Sequence, residues 1–166
     1  MKQLKRVIFV VMAIFFMIST SCKATDNTPG DLMSLVKLMP GATTMENVTH
    51  MFGKPAKIEE NKKSTKWYYS NGATNLVVSW DNKSALLSKF SFKGDPSAKS
   101  VFDKKQQSLL ISGTTDIGQA MKLLGMPSDM SIRENTQEIH YAFQHNVLRL
   151  FFRDRVLVDF CLISSQ

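Results

Sequence analysis

The strongest constraint on the fold of this 166-residue chain is an internal repeat. Residues 41–55, GATTMENVTHMFGKP, return in recognisable form at residues 113–127, GTTDIGQAMKLLGMP. A constant displacement of 72 positions relates Gly41 to Gly113, Gly53 to Gly125, Pro55 to Pro127 and Tyr69 to Tyr141. A chance match of two glycine-containing segments would not keep one displacement over this length. The chain is therefore predicted to contain two copies of one structural unit.

Each copy of the repeat predicts a short helix with clear start and stop signals. In the first copy, Thr43 is the predicted N-cap, Glu46 completes a capping box, and Gly53 ends the helix. In the second copy Thr115 takes the place of Thr43, but Gly118 stands where Glu46 stood, which predicts loss of the second capping box and a weaker helix. The repeated glycines are interpreted as helix punctuation rather than as a ligand site.

A further helix and four strands complete each unit. An amphipathic helix is predicted at 31–38 with Asp31 as its N-cap, and its counterpart falls within 100–111. Alternating patterns after each proline predict strands at 56–60, 66–70, 75–80, 86–92, 129–133, 138–143, 147–153 and 156–163. The predicted fold class is α+β, with two tandem repeats of helix, helix and four-stranded antiparallel sheet. Repeat 1 is assigned to 31–94 and repeat 2 to 95–166.

The N-terminus has the three parts of an export signal. A basic segment at 1–6 precedes an apolar run at 7–18, which is shorter than the roughly 20 residues that a membrane span needs. Residues 1–21 are predicted to be a signal peptide, and the small residues before Cys22 resemble the lipobox of bacterial lipoproteins, in which the cysteine is acylated. Cys22 is the predicted lipidation site and membrane anchor, with a polar linker at 22–30.

Two further residues bear on location. A disulfide between Cys22 and Cys161 stays open only if Cys22 is not acylated. Lys23 stands where an aspartate commonly retains lipoproteins of Gram-negative bacteria in the inner membrane. An outer-membrane lipoprotein facing the periplasm is therefore predicted, with a soluble periplasmic or secreted protein as the alternative.

Composition and residue spacing argue against nucleic-acid binding and against catalysis. The formal charge is +7, but part of it lies in the signal segment and the rest is spread without a basic run. The three histidines, His50, His140 and His145, lack metal-ligand spacing. A nucleophile pair of Cys161 with His140 is the enzymatic alternative, and no orienting third residue is evident. The chain is predicted not to be an enzyme, and no cofactor, metal or small-molecule substrate is expected.

The order of a glycine, a short helix, Gly-x-Pro and a Trp/Tyr-bearing strand within 41–69 resembles the SmpA/OmlA domain of bacterial envelope lipoproteins, which includes BamE-like proteins. The tandem arrangement is similar to the fold of the β-lactamase inhibitory proteins, which are built from two helix-helix-sheet units. The resemblance implies an envelope location and work by protein contact. This chain departs from it in two ways, because BamE-like proteins carry one unit and the secreted inhibitors are disulfide-bonded.

The sheet face turned away from the helices is the predicted partner-binding surface, because it mixes aromatic, apolar and arginine side chains. Strand alternation assigns to this face Tyr68, Val77, Lys89, His140, Arg149, Phe151, Arg153 and Leu157. An ordinary half-polar face, or burial of the face between the repeats, stays open. The predicted function is binding of an envelope protein partner by a lipid-anchored protein with a role in outer-membrane assembly or maintenance. Inhibition of a hydrolase such as a β-lactamase is the alternative.

Overall fold

The computed structural model describes residues 31–95, 104–143 and 145–164. The predicted signal peptide, the predicted lipidation site at Cys22 and the linker that follows it lie outside these residues. Among the described residues, no helix is both long and apolar enough to cross a membrane.

Strands dominate the described chain, and its helices are short. The helices are α1 (Leu32–Lys37), α2 (Met45–Phe52), α3 (Lys104–Ser108) and α4 (Ile117–Leu124). The strands are β1 (Lys57–Glu60), β2 (Ser64–Asn71), β3 (Thr74–Asp81), β4 (Leu87–Lys93), β5 (Asp129–Arg133), β6 (Thr136–Phe143), β7 (Asn146–Arg153) and β8 (Val156–Ser164). Each strand predicted from alternation is present, and its ends differ from the prediction by no more than two residues.

All eight strands form one antiparallel sheet in chain order. β4 pairs with β5, with Phe90 opposite Ile132 and Phe92 opposite Met130, so the sheet continues through the point where two units were expected to separate. The predicted α+β fold class, with two helix-helix-four-stranded repeats, is therefore wrong: the molecule is mostly sheet, in a single piece with few helices. Edge pairing explains the difference, because β4 alone would expose a row of unpaired backbone groups that β5 satisfies.

The caps of α2 and α4 lie one residue later than predicted. Thr44 rather than Thr43 caps α2, and Asn47 completes its capping box. Asp116 caps α4 and exchanges hydrogen bonds with Gln119, so the second capping box is present and its predicted loss is wrong.

Thr43 and Thr115, the predicted caps, explain this shift. Both are buried, and each closes the turn before its helix instead of capping it. The Thr43 hydroxyl accepts a hydrogen bond of 2.8 Å from the backbone N–H of Met39. The Thr115 hydroxyl accepts one of 2.9 Å from the N–H of Ile111. A hydroxyl that bonds backward in this way leaves the next residue in each copy to cap the helix.

The core lies between the helices and one face of the sheet, and it is continuous across both halves of the chain. Trp80, Phe92 and Tyr141 are among the largest fully buried side chains. Helix α1 packs on α4 of the other half. Arg155 Nη2, in the last hairpin, donates a hydrogen bond of 3.0 Å to the backbone oxygen of Val36 in α1. The two halves are therefore tied together by helix packing and by the sheet.

Tyr69 and Tyr141 occupy equivalent positions but differ in hydrogen bonding. The Tyr69 hydroxyl donates to the Gly53 backbone oxygen at 3.3 Å, whereas the buried Tyr141 hydroxyl has no partner within the described part of the chain. Tyr141→Phe is expected to raise the free energy of unfolding by about 1 kcal/mol because it removes an unpaired donor, and Tyr69→Phe to lower it by about 1 kcal/mol. Urea denaturation at pH 7 measures both changes, and equal destabilisation by the two variants would contradict the assignment.

The Tyr141→Phe variant also has an expected pH dependence. Burial raises the pKa of the Tyr141 hydroxyl, so the folded state holds this proton more tightly than the unfolded state does. The resulting stability is fully present below the ordinary tyrosine pKa of about 10 and is lost as the pH rises above it. Tyr141→Phe should therefore remove part of the alkaline loss of stability that the unmodified chain shows.

Candidate protein-binding face

The described helices lie on the core side of the sheet, which leaves the opposite face uncovered by them. We call this second face the outer face. One row of its residues crosses all eight strands: Lys57, Tyr68, Val77, Ser91, Ser131, Glu138, Phe151 and Asp159. The row is continuous because β4 and β5 keep their facing residues in register. Since the two halves lie side by side in one sheet, the outer face is not buried between them.

The centre of the outer face contains two adjoining depressions. The first, of about 310 Å³, is lined by residues of β2 to β5 that include Tyr68 and Lys89. The second, of about 410 Å³, is lined by residues of β5 to β8 that include Phe151. Ser131 and Arg133 of β5 line both depressions. The recessed region, which we call the central groove, therefore spans the two halves of the chain and has β5 at its middle.

Basic side chains line the central groove. Lys89, Arg133 and Arg153 are exposed, and none of them forms an ion pair with another described residue. Lys89 and Arg133 lie directly opposite each other on β4 and β5, an arrangement in which like charges repel. A partner that brings carboxylates into the groove would relieve this repulsion.

Two carboxylates of the outer face are already engaged: Glu59 beside the groove and Glu138, which lines it. Glu59 forms an ion pair of 2.6 Å with Lys57 and accepts a hydrogen bond of 2.5 Å from the Tyr68 hydroxyl. Hydrogen bonds from Lys57 and then from Tyr68 hold the pKa of Glu59 below its ordinary value. Glu138 Oε1 lies 2.6 Å from His140 Nε2. These carboxylates therefore contact Lys57, Tyr68 and His140, and not Lys89, Arg133 or Arg153.

The predicted face residues lie on the outer face with one exception. Those on the face are Tyr68, Val77, Lys89, His140, Arg149, Phe151 and Arg153. Leu157 is fully buried in the core, so its assignment to the face is wrong. The reason is a β-bulge: Asp159 lies opposite Phe151 and Leu157 lies opposite Phe152, which leaves Val158 without a partner position. One extra residue reverses the facing of the residues that precede it in β8.

The sequence prediction omits Ser131 and Arg133, which line both parts of the central groove. Strand alternation could have placed both residues on the outer face, because they are two positions apart. Their central position depends on the pairing of β4 with β5, which puts Arg133 beside Lys89. No local signal in the sequence specifies that pairing.

The sheet does not bring Cys161 and His140, the predicted alternative pair of nucleophile and base, next to each other. Arg149 of β7 lies opposite both His140 of β6 and Cys161 of β8, so a whole strand separates the proposed nucleophile from its base. Two strand spacings place their backbones about 10 Å apart. Among the described residues, no group of histidine, cysteine, aspartate and glutamate side chains is placed to hold a metal ion.

No family model matches the chain, and no curated protein matches it. Among solved structures, the chain is similar to a candidate beta-lactamase inhibitor protein from Streptococcus mutans, with a TM-score of 0.55 and 14% identity, covering 81% of this chain and 95% of that one. A DUF4309 family protein from Bacillus subtilis aligns at 14% identity over 86% of this chain and 93% of that one, with a TM-score of 0.31. The second score is too low to indicate a common fold. The first indicates that this chain shares the overall fold of the Streptococcus mutans protein.

Proposed function

We propose that this is an exported, lipid-anchored bacterial envelope protein, similar to SmpA/OmlA lipoproteins, that binds another protein through the outer face of its sheet. The central groove is the main observation that supports the proposed binding. It combines the half-buried aromatic rings of Tyr68 and Phe151 with the exposed basic side chains of Lys89, Arg133 and Arg153. Aromatic residues and arginine are the side chains that most often anchor protein interfaces.

The dimensions of the outer face fit a macromolecular partner. Eight strands are separated by seven spacings of about 4.8 Å, which gives the sheet a width of about 34 Å. A standard protein interface takes about 800 Å² from each partner, which a face of this width can supply. The free basic groups further favour a partner surface that presents aspartate or glutamate. The proposed partner is thus an acidic surface of another envelope protein.

Site-specific photo-crosslinking in intact cells tests the binding face. A photoreactive residue in place of Ser131, which is exposed in the central groove, is expected to capture the partner. The same residue in place of Lys122, which is exposed on α4, is the matched control and is expected to capture little. Arg133→Glu should reduce the Ser131 adduct about tenfold or more, because it places a negative charge against the partner's carboxylates. Equal adducts from both positions, or an adduct indifferent to Arg133→Glu, would count against the proposal.

The anchor is tested separately from the binding face. Labelled palmitate is expected to enter the chain at Cys22 and to be absent from Cys22→Ala. An unmodified mature N-terminus downstream of Cys22 would remove the anchor and leave a soluble periplasmic or secreted protein. Fractionation of the envelope then tests the proposed place in the outer membrane, facing the periplasm.

The fold shared with the Streptococcus mutans protein supports a second candidate function, inhibition of a hydrolase such as a β-lactamase. Titration of a β-lactamase with the protein separates the two functions. Stoichiometric loss of activity that is weakened by Phe151→Ala, but not by Lys122→Ala, would favour the inhibitor. A β-lactamase that keeps its full activity at equimolar protein would exclude that enzyme as the target.

A further inference from the structure

The last strand of the sheet has an edge that, along its second half, no described residue covers. β8 runs for nine residues, and the backbone of Leu157 near its start is satisfied by the loop before α4. Leu157 donates to the Thr115 oxygen and accepts from the Gly113 N–H, both at 2.8 Å. Beyond Val158, whose oxygen accepts from the Ser112 hydroxyl, no described residue pairs with this edge. After the bulge, every second residue of β8 directs its backbone N–H and C=O groups away from β7, towards this edge.

The equivalent strand of the first half shows how such an edge is filled. In β4, Leu87 accepts from the Gly41 N–H at 2.7 Å and donates to the Thr43 oxygen at 2.9 Å, as Leu157 does with its own loop. After the matching bulge, the edge of β4 pairs with β5 through Phe90 and Phe92. By this internal comparison, Phe160 and Leu162 hold the positions from which β8 would bond to a further strand.

The two edges of the sheet differ in their protection. β1 is four residues long and carries Lys57, Glu59 and Glu60, the kind of short, charged edge that resists pairing with other chains. β8 is longer and carries a single charged residue. Leu162 is 51% exposed and Ile163 is 42% exposed, so apolar side chains stand open on both faces of this strand. Burial of this strand against a partner strand would remove exposed apolar area.

We propose that β8 pairs with β8 of a second copy of this chain, antiparallel and centred on Cys161. In this register, Phe160 of each copy lies opposite Leu162 of the other. Asp159 lies opposite Ile163, and the two Cys161 residues face each other at the two-fold axis. Both copies use the same surface, as a two-fold interface requires. The outer faces of the two copies then join into one surface.

Pairing of β8 with β1 of another copy is the rival arrangement, and the side chains disfavour it. If β8 and β1 adopt the register that β4 and β5 have, Phe160 lies opposite Glu60 and Ile163 lies opposite Lys57. Only the pair of Leu162 with Ile58 would be apolar on both sides. The symmetric register gives two apolar pairs and places no like charges opposite each other.

The side chain of Asp159 competes with this interface for one backbone N–H group. Its Oδ1 accepts a hydrogen bond of 2.8 Å from the backbone N–H of Phe160, a group that the symmetric register would give to Leu162 of the other copy. The pairing therefore has to release this bond. Asp159→Ala is expected to strengthen the dimer by about threefold or more, because it frees the N–H beforehand.

Cysteine crosslinking in cells that carry the full chain tests the proposal. Cys161 is a free, half-buried thiol, and Cα atoms about 4.5 Å apart at the centre of an antiparallel pair suit a disulfide. Diamide, which takes up two electrons and two protons as the two thiols join, is expected to give a covalent dimer that Cys161→Ser abolishes. Leu162→Lys should lower its yield about tenfold or more. Ile58→Lys, at a position that is 50% exposed on the other edge, should leave it unchanged.

A register test covers the possibility that Leu162→Lys disturbs folding. In a Cys161→Ser background, chains with Asp159→Cys and chains with Ile163→Cys are expected to crosslink to each other, and chains with Asp159→Cys alone are not. The proposal is overturned by a wild-type chain that gives no dimer, by an unchanged yield in a folded Leu162→Lys variant, or by a crosslink to a chain of another mass. The last result would assign the edge to a different protein.

Discussion

Gly94→Ala is expected to lower the free energy of unfolding by about 3 kcal/mol, because a Cβ at this position would overlap the backbone oxygen of Pro127. Gly94 follows β4 directly, and its N–H donates a hydrogen bond of 2.9 Å to the oxygen of Ser128 just before β5. The two backbones approach each other so closely at this point that only glycine fits without a shift of one strand. The effect should therefore fall on the junction that makes the sheet continuous.

Urea denaturation followed by far-UV circular dichroism measures this change. Lys93→Ala is the matched control, since Lys93 is the exposed neighbour on β4 and should change stability by less than about 0.5 kcal/mol. If Gly94→Ala were as stable as Lys93→Ala, the close approach of β4 and β5 would be contradicted. A hydrogen-exchange experiment would locate the loss, with reduced protection expected first in β4 and β5.

Leu157→Ala is also expected to cost about 3 kcal/mol, whereas Val158→Ala should cost less than about 0.5 kcal/mol. Leu157 is fully buried and Val158 is 44% exposed, although strict alternation along β8 would place Leu157 on the outer face with Asp159. The β-bulge between Phe151 and Phe152 on β7 produces this difference. The comparison therefore tests the register of β8 with two neighbouring residues of similar chemistry.

Thermal and chemical denaturation of the two variants give the result directly. A large loss for Val158→Ala with little change for Leu157→Ala would restore unbroken alternation and contradict the bulge. Leu87→Ala extends the test to the first half, because Leu87 is fully buried behind an equivalent bulge opposite Trp80. We expect Leu87→Ala and Leu157→Ala to have losses of similar size.

Strand positions could be read from the sequence because alternation and turn residues are local signals. The eight strands follow runs of period two, and turns such as Asn71-Gly72 and Asp154-Arg155 separate them. The N-cap at Asp31 was also predicted correctly, and its carboxylate accepts from the N–H groups of Met33 and Ser34. In each case the residues that decide the structure are only a few positions apart.

The continuity of the sheet could not be predicted in the same way. The pairing of β4 with β5 joins residues about 40 positions apart, and it depends on edge satisfaction rather than on any residue pattern. The repeat itself favoured the wrong interpretation, because two similar units suggest two separate sheets. The cap positions failed for a smaller reason: Thr43 and Thr44 both have hydroxyls, and only burial of the first shows which one caps the helix.

The composition of the outer face was predictable, but its centre was not. Strand alternation placed Tyr68 of β2 and Arg149 and Phe151 of β7 on the face turned away from the helices, which is where they lie. The central groove requires β5 to sit between the two halves, which follows from the pairing with β4. Leu157 was misplaced because a bulge inserts one residue without changing the hydrophobic character of the strand.

The pairing of β4 with β5 also has a consequence for the order in which the chain is made. A ribosome completes β4 at Lys93, but β5 begins only at Asp129. A first half that folded during this interval would have four strands and an edge with no partner, which is the kind of intermediate that aggregates. Protection of the edge of β4 therefore has to wait until the second half of the chain has been synthesised.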